Sequence, residues 1–328
     1  MKLFDESITR RQALATLGLA AIASPLSVLA QSDRPITFIL PVGPGSGVDT
    51  ITRSAGAAMS KAFGHTVVIE NKPGAGGIIG TSALVKAPAD GYTLGMVSNN
   101  HVVYPSVYKT VPFDPIADIT PISLIGSTPL LLVANPAKVQ GKNLQAVIAD
   151  MKARPDDYTY ASSGNGTILH LAAAMFVDQA QVHVRHIPYK GVGPMTTDLI
   201  GGQVDLAVSS LPAVLPHLKS GALRALGVCG AKRLPSLPDV PTLAEQGLPN
   251  YECAGWFATV APANLPEADT QRIYKALVAA FRDPAVQESM DKQGNTIQLL
   301  TPEKTAQFFR SELKKYADVA RKSGIEKV

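Results

Sequence analysis

Aromatic residues are scarce in this sequence: 6% of 328 positions, with a single tryptophan, Trp256. Cysteine is scarcer still, and two residues, Cys229 and Cys253, exclude a disulfide-stapled scaffold or a cysteine-rich zinc module. Charged residues make up only 17%, with 30 Lys and Arg against 26 Asp and Glu for a net charge of +4. The basic residues form no stripe with interleaved aromatics, so no nucleic acid is expected as a partner. Beyond the N-terminal segment no run reaches about 18 consecutive apolar residues, which excludes a later membrane span. Nucleotide motifs are missing too. Gly43-x-Gly45-x-Gly47 fails the dinucleotide spacing because Val48 stands where glycine is required, and no Gly-Lys-[Ser/Thr] exists for a P-loop. Neither a Gly-x-Ser-x-Gly elbow nor a His-Glu-x-x-His zinc motif occurs. What remains is 46% hydrophobic, with 27 Gly and 25 Pro and no repeat period. At about 150 residues per domain this is enough for two cores, and loops should matter.

Residues 1–30 read as a secretory signal peptide. Lys2, Arg10 and Arg11 precede a small, apolar stretch, and Val28-Leu29-Ala30 before Gln31 has the small-x-small form of a cleavage site. The competing reading, a membrane anchor, is disfavoured because the apolar run is too short for ~30 Å of hydrocarbon and Pro25 interrupts it late. Thr9-Arg10-Arg11-Gln12-Ala13-Leu14 is twin-arginine-like, and the choice between Tat and Sec export stays open. Removing the segment leaves 27 basic and 24 acidic residues, a charge of +3.

Short β-branched runs then alternate with helical segments, the signature of parallel α/β sheets. Strands are expected at 36–41, 65–70, 92–97, 158–161, 184–188, 204–209, 225–229 and 256–261. A long β-rich run, 119–135, is broken by Ser127-Thr128-Pro129 and reads as a strand leaving one lobe and entering another. Helices are expected at 49–63, 78–87, 144–153, 170–179, up to 201, 242–246, 267–282 and 302–322. With a proline-rich connection at 235–241, the parts are lobe 1 (31–125), lobe 2 (126–230) and a completion of lobe 1 (231–328). Two lobes joined by two crossings form a hinge, and the cleft between them is a natural ligand site.

Three glycine- or serine-rich loops, 43–49, 73–77 and 162–167, follow strand ends and open helices. Free N–H groups and the helix dipole favour an anion there, glycine permits close backbone approach, and hydroxyls add donors. Each loop alone also fits a plain turn needing φ > 0; three on one chain point to a carboxylate clamp. Among single residues, His101 follows a strand end beside Ser98, Asn99 and Asn100, and ligand contact and structural hydrogen bonding weigh equally for it. Asp205 can accept from a ligand amine or cap a neighbouring backbone. His170 packs or caps within its helix, and a metal, a cofactor or a catalytic residue is not expected. Cys229 and Cys253 either pair or remain buried thiols.

Taken together, Pro41-Val-Gly-Pro-Gly-Ser-Gly-Val-Asp49, Asn71-Lys-Pro-Gly-Ala-Gly-Gly77, Asp90-Gly-Tyr-Thr-Leu94 and Pro112-Phe-Asp-Pro115 resemble the Bug/TctC family of periplasmic solute receptors. Tyr160-Ala-Ser-Ser-Gly-Asn-Gly166, Pro188-Tyr-Lys-Gly191, Gly202-Gln-Val-Asp205 and Leu237-Pro-Asp-Val-Pro-Thr-Leu-Ala-Glu-Gln-Gly247 extend the resemblance along nearly the whole mature chain. It implies an α/β Venus-flytrap fold in the periplasm, acting as a monomer with membrane transporter subunits of the TctA/TctB type. It also implies capture of a carboxylate by Gly43, Pro44, Gly45, Ser46, Gly47 and Asp49 with Gly74, Ala75 and Gly76. Ser163, Gly164, Thr167, Asp205 and Ser209 would answer from lobe 2, and Ser98, Asn99 and His101 would reach the distal end. The expected ligand is an organic carboxylate, with a lean to an aromatic diacid such as terephthalate. A C4-type dicarboxylate, an acidic amino acid and a sensor-partner role are alternatives, and an ester hydrolase using Ser46 or Ser163 is a remote one.

Overall fold

The structure is a computed structural model and describes residues 34–322 together with Lys327. The signal-peptide segment 1–30 lies outside the described residues. Lobe 1 begins with β1 (Ile36–Leu40), α1 (Gly47–Phe63), β2 (Val67–Asn71), a 3-10 turn (Ala75–Gly77), α2 (Ile78–Val85), β3 (Thr93–Ser98), α3 (Asn100–Val107) and β4 (Ile119–Thr128). Lobe 2 holds β5 (Leu130–Ala134), α4 (Leu144–Ala153), β6 (Thr159–Ser162), α5 (Ile168–Ala180) and β7 (Arg185–Pro188). It continues through α6 (Val192–Ile200), β8 (Leu206–Ser210), α7 (Leu211–Lys219) and β9 (Arg224–Val228). The chain then returns to lobe 1 for β10 (Gly255–Pro262), α8 (Glu267–Phe281), α9 (Pro284–Lys292), β11 (Thr296–Ile297) and α10 (Pro302–Lys322).

Both sheets are mixed, not purely parallel as the alternating pattern led one to expect. Lobe 1 carries the order β11-β4-β10-β3-β1-β2, with β1 parallel to β2 and β3 and β10 antiparallel to β3 and β4. Lobe 2 carries β7-β6-β8-β5-β9, with β5 antiparallel to β8 and β9. The antiparallel strands are those next to the crossings. The sheet changes at Pro129 and again between Cys253 and Gly255, not at 125/126 and 230/231 as the sequence reading had it. Residues beyond 230 still belong to lobe 2 by hydrogen bonding: Leu243 N donates to Val228 O at 2.9 Å, and the Gln246 amide donates to Leu226 O at 2.8 Å. The expected return strand at 225–229 is therefore an edge of the lobe 2 sheet, and 242–246 is a turn and not a helix.

Local chemistry explains the elements that carry the cleft loops. Ser46 caps α1 by accepting from Asp49 N at 3.2 Å, Asp49 sits in the first turn, and Gly64 ends the helix in the left-handed region. Ile51, Ala55, Met59 and Phe63, four apart, form its buried stripe against Phe38, Leu94 and Phe257. Thr167 caps α5 in the same way, accepting from His170 N at 3.3 Å. Strands β5, β8 and β10 are buried throughout, so they read as continuous apolar runs without alternation. Among the described residues no helix is long and apolar enough to cross a membrane.

Candidate ligand-binding site

A cavity of about 520 Å³ lies between the lobes. Helix starts from both lobes converge on it: Ser46 before α1, the turn 75–77 before α2, Asn100 at the head of α3, Thr167 before α5, and Gly191 before α6. The first N–H groups of a helix have no intrahelical partner, and the macrodipole adds partial positive charge at that end. Five such starts around one void make a strongly anion-attracting wall with little formal charge. Among the described residues of the lining, Lys190 is the single charged one and none is a carboxylate. The side walls are apolar, from Pro41, Val42, Pro73, Pro188 and the tyrosines Tyr108 and Tyr189.

Most of the three expected loops are brought together here. Gly43, Ser46, Gly74, Ala75, Gly76, Ser163, Gly164 and Thr167 all line the cavity. Ala75 adopts φ 46°, a left-handed conformation uncommon for a residue with a Cβ, on the wall of the void. The lobes nearly touch at its rim, where a Cβ placed on Gly43 would lie 3.9 Å from Gly191 Cα. A smaller recess of about 60 Å³ continues toward the crossings, reached by Gly47, Ser98 and Asn99.

Other expected contacts are corrected by the geometry. Pro44 and Gly45 lie off the lining, and Asp49 is 4% exposed and fully occupied. Its Oδ2 accepts from Gly45 N at 3.0 Å, and its Oδ1 accepts from Arg53 and Asn71, both at 2.9 Å. Asp49 therefore shapes the loop and stands off the cavity lining. Asp205 likewise accepts from Thr159 N and Thr159 Oγ1, both at 2.7 Å, joining the starts of β6 and β8 away from the cavity. Ser209 is fully buried with an unpartnered hydroxyl and is absent from the lining.

The segment 98–101 departs furthest from expectation, because α3 begins at Asn100 and turns the following side chain inward. His101, 1% exposed, stacks on Phe113 and packs on Phe309, and its Nε2 lies 2.7 Å from the Pro115 carbonyl. Burial lowers its pKa to about 4. Asn99 is a clasp: it donates to Ala254 O at 3.1 Å and to Tyr316 Oη at 2.6 Å, and accepts from Trp256 N at 2.8 Å. Asn100, named from sequence only as part of the polar segment beside His101, is the member of this segment on the main cavity.

Behind the lobe 2 loop stands a column of three parallel rings. Tyr160 and His186 have centroids 4.7 Å apart, and His186 and His170 4.1 Å. His170 Nδ1 accepts from Gly166 N at 3.2 Å and His186 Nε2 meets Ser162 Oγ at 2.7 Å, so the column braces the 162–167 loop. Burial lowers both histidines to about 4, keeping them neutral. Cys229 and Cys253 are free, buried thiols.

Two lobes, two crossings and a helix-start-lined void between them define a periplasmic binding protein, and comparison with known proteins agrees. Residues 51–325 match the family model described as Tripartite tricarboxylate transporter family receptor. Protein BugT of Bordetella pertussis is 37% identical over 319 residues, covering 95% of this chain and 98% of that protein. The solved periplasmic binding protein BugD superposes with a TM-score of 0.87 at 32% identity, covering 90% of this chain and 99% of its own. Rpa4515 of R. palustris, solved with adipate, gives 0.87 at 31%, covering 91% of this chain and 100% of its own. The chain belongs to the Bug/TctC receptor family. It is a periplasmic solute-binding receptor and not an enzyme.

Proposed function

We propose that this receptor captures a small organic dicarboxylate in the inter-lobe cavity and presents the closed form to membrane transporter subunits of the TctA/TctB type, acting as a monomer. The observation that carries the reading is the convergence of five helix starts on a void with no carboxylate among the described residues that line it. An anion is welcome at such a place, and an ammonium group is not. Asp205 and Asp49, the acidic residues nearest to consideration, spend their oxygens on Thr159 and on Gly45, Arg53 and Asn71. An acidic amino acid would therefore bury its ammonium without a counter-charge, at a cost of several kcal/mol. Two carboxylates, one on the glycine loops and one toward Lys190, suit the lining. The apolar side walls and the rings of Tyr108 and Tyr189 favour a compact hydrocarbon spacer, for which terephthalate is the aromatic representative. Adipate bound to Rpa4515 supports the same class.

Calorimetry with succinate, adipate, terephthalate and glutamate tests this. Micromolar binding of at least one diacid is expected, with glutamate at least tenfold weaker. Glutamate as the preferred ligand, or no heat from any carboxylate, would overturn it.

A further inference from the structure

The two lobes meet through two side chains of α3 and its C-terminal flank that also touch the lobe 1 ligand loop. Asn100 Oδ1 accepts from Ile168 N at 2.8 Å, a bond from lobe 1 to the first residue of α5 in lobe 2. The amide nitrogen of the same side chain donates to Gly76 O at 3.2 Å. At the other end of α3, Tyr108 Oη donates to Asn165 O at 2.6 Å, again crossing between lobes. Tyr108 Oη also lies against Gly76, where a Cβ would come within 2.4 Å of it. The facing surface is cut to fit. A Cβ on Gly166 would lie 2.6 Å from Val107 Cγ2 and 2.8 Å from Tyr108 Cε2, so α3 seats on the lobe 2 loop only because residue 166 is glycine.

From this we infer that Asn100 and Tyr108 form a two-point latch that holds the lobes shut and sets how long ligand stays. The inference rests on the reading of the cavity as the ligand site. Both bonds join groups that separate when the lobes part, so they exist only in the closed form. Asn100 touches both sides of the cleft, tying closure to the posture of the Gly74–Gly77 loop. A ligand that orders that loop thereby presents Asn100 to the head of α5. Because the bonds form whenever the lobes close, with or without ligand between them, they act on dissociation and not on encounter. The Asn100 amide and the Tyr108 hydroxyl act by positioning, while the Tyr108 ring remains part of the cavity wall.

Stopped-flow displacement of terephthalate from wild type, Tyr108→Phe and Asn100→Ala tests the latch. Each substitution is expected to raise the dissociation rate about tenfold, equivalent to ~1.4 kcal/mol, with association changed less than twofold. Tyr108→Phe keeps the ring and loses one hydroxyl, so it guards against a folding defect in the asparagine variant. Amide hydrogen exchange on the ligand-free protein supplies a readout independent of ligand. Exchange at Ile168 is expected to speed about tenfold in Asn100→Ala while slow amides in β5 and β8 stay unchanged. Dissociation rates unaltered by both substitutions, or losses confined to association, would overturn the latch. If terephthalate does not bind, adipate takes its place in the displacement; if no diacid binds, the ligand reading fails, and the Ile168 amide alone decides: unchanged exchange there overturns the latch as well.

Discussion

A carbonyl only accepts, so the contact between His101 Nε2 and Pro115 O fixes the proton on Nε2 and leaves Nδ1 bare and unpartnered in the core. A ring held this way resists protonation, and burial accounts for its pKa of about 4. In the unfolded chain the same ring titrates near its ordinary value of 6.5. Between those values the unfolded state binds a proton that the folded state refuses, so stability present above pH 6.5 is lost as pH falls toward 4. For His101 the loss from pH 7 to pH 5 is about 2 kcal/mol. His101→Gln keeps a donor for Pro115 without a titrating ring. Urea unfolding at the two pH values is expected to show a smaller acid loss in the variant by roughly that amount; an equal loss would mean the ring does not stay neutral. Nothing in Asn99-Asn100-His101 distinguishes the three roles by composition. The residues alternate between clasp, latch and core because a helix starts there, and Pro105 inside α3 hid that helix from sequence inspection.

At the scale of elements, the glycine and serine loops were legible because their chemistry is local. Strand end, positive-φ glycine, hydroxyl cap and helix start occupy one short stretch of chain. Thr167 condenses this: its Oγ1 caps α5, accepts from Ser163 Oγ at 3.2 Å, and bonds with Gly164 O at 2.9 Å on the cavity wall. Thr167→Ala is expected to cost about 1 kcal/mol in thermal stability, the usual value of a lost cap, and to weaken the best-bound diacid at least fivefold by calorimetry. Thr167→Ser should restore both. What stayed hidden is long-range. Asn100 and Ile168 are far apart in sequence, and the choice between Asp205 as ligand partner and as backbone cap was open until Thr159 was brought beside it from another strand. Helix α7 was not among the expected helices; it carries Pro212 in its first turn, where the missing N–H costs nothing, and Pro216 in its interior.

For the whole molecule, the two-lobed plan was readable from the interrupted run at Pro129, whereas the strand directions were not. Direction depends on which strand lies beside which, and β10 enters antiparallel between β3 and β4 only after lobe 2 is complete. Ligand held between the lobes binds the folded state alone. At a hundredfold excess over Kd it adds ~2.7 kcal/mol, and a carboxylate-dependent rise of several degrees in Tm is expected by scanning calorimetry. A Tm indifferent to a diacid that binds by titration would mean that the diacid binds the unfolded chain equally well, and so occupies no site that folding builds.

The clasp between the end of the chain and its beginning carries a consequence for how the protein is made. Lobe 2 is one continuous stretch, so it can fold as soon as its residues are available. Lobe 1 cannot. Its sheet lacks the central strand β10 until late, and the β3–α3 junction waits for Tyr316 to meet Asn99 and for Glu312 to accept from the Trp256 indole at 2.8 Å. Contacts of such long sequence separation form slowly. The last helix is thus a completion signal: the trap acquires its second jaw only when the final residues of the fold have arrived, and until then β3 and β4 each offer a bare edge to any neighbouring chain.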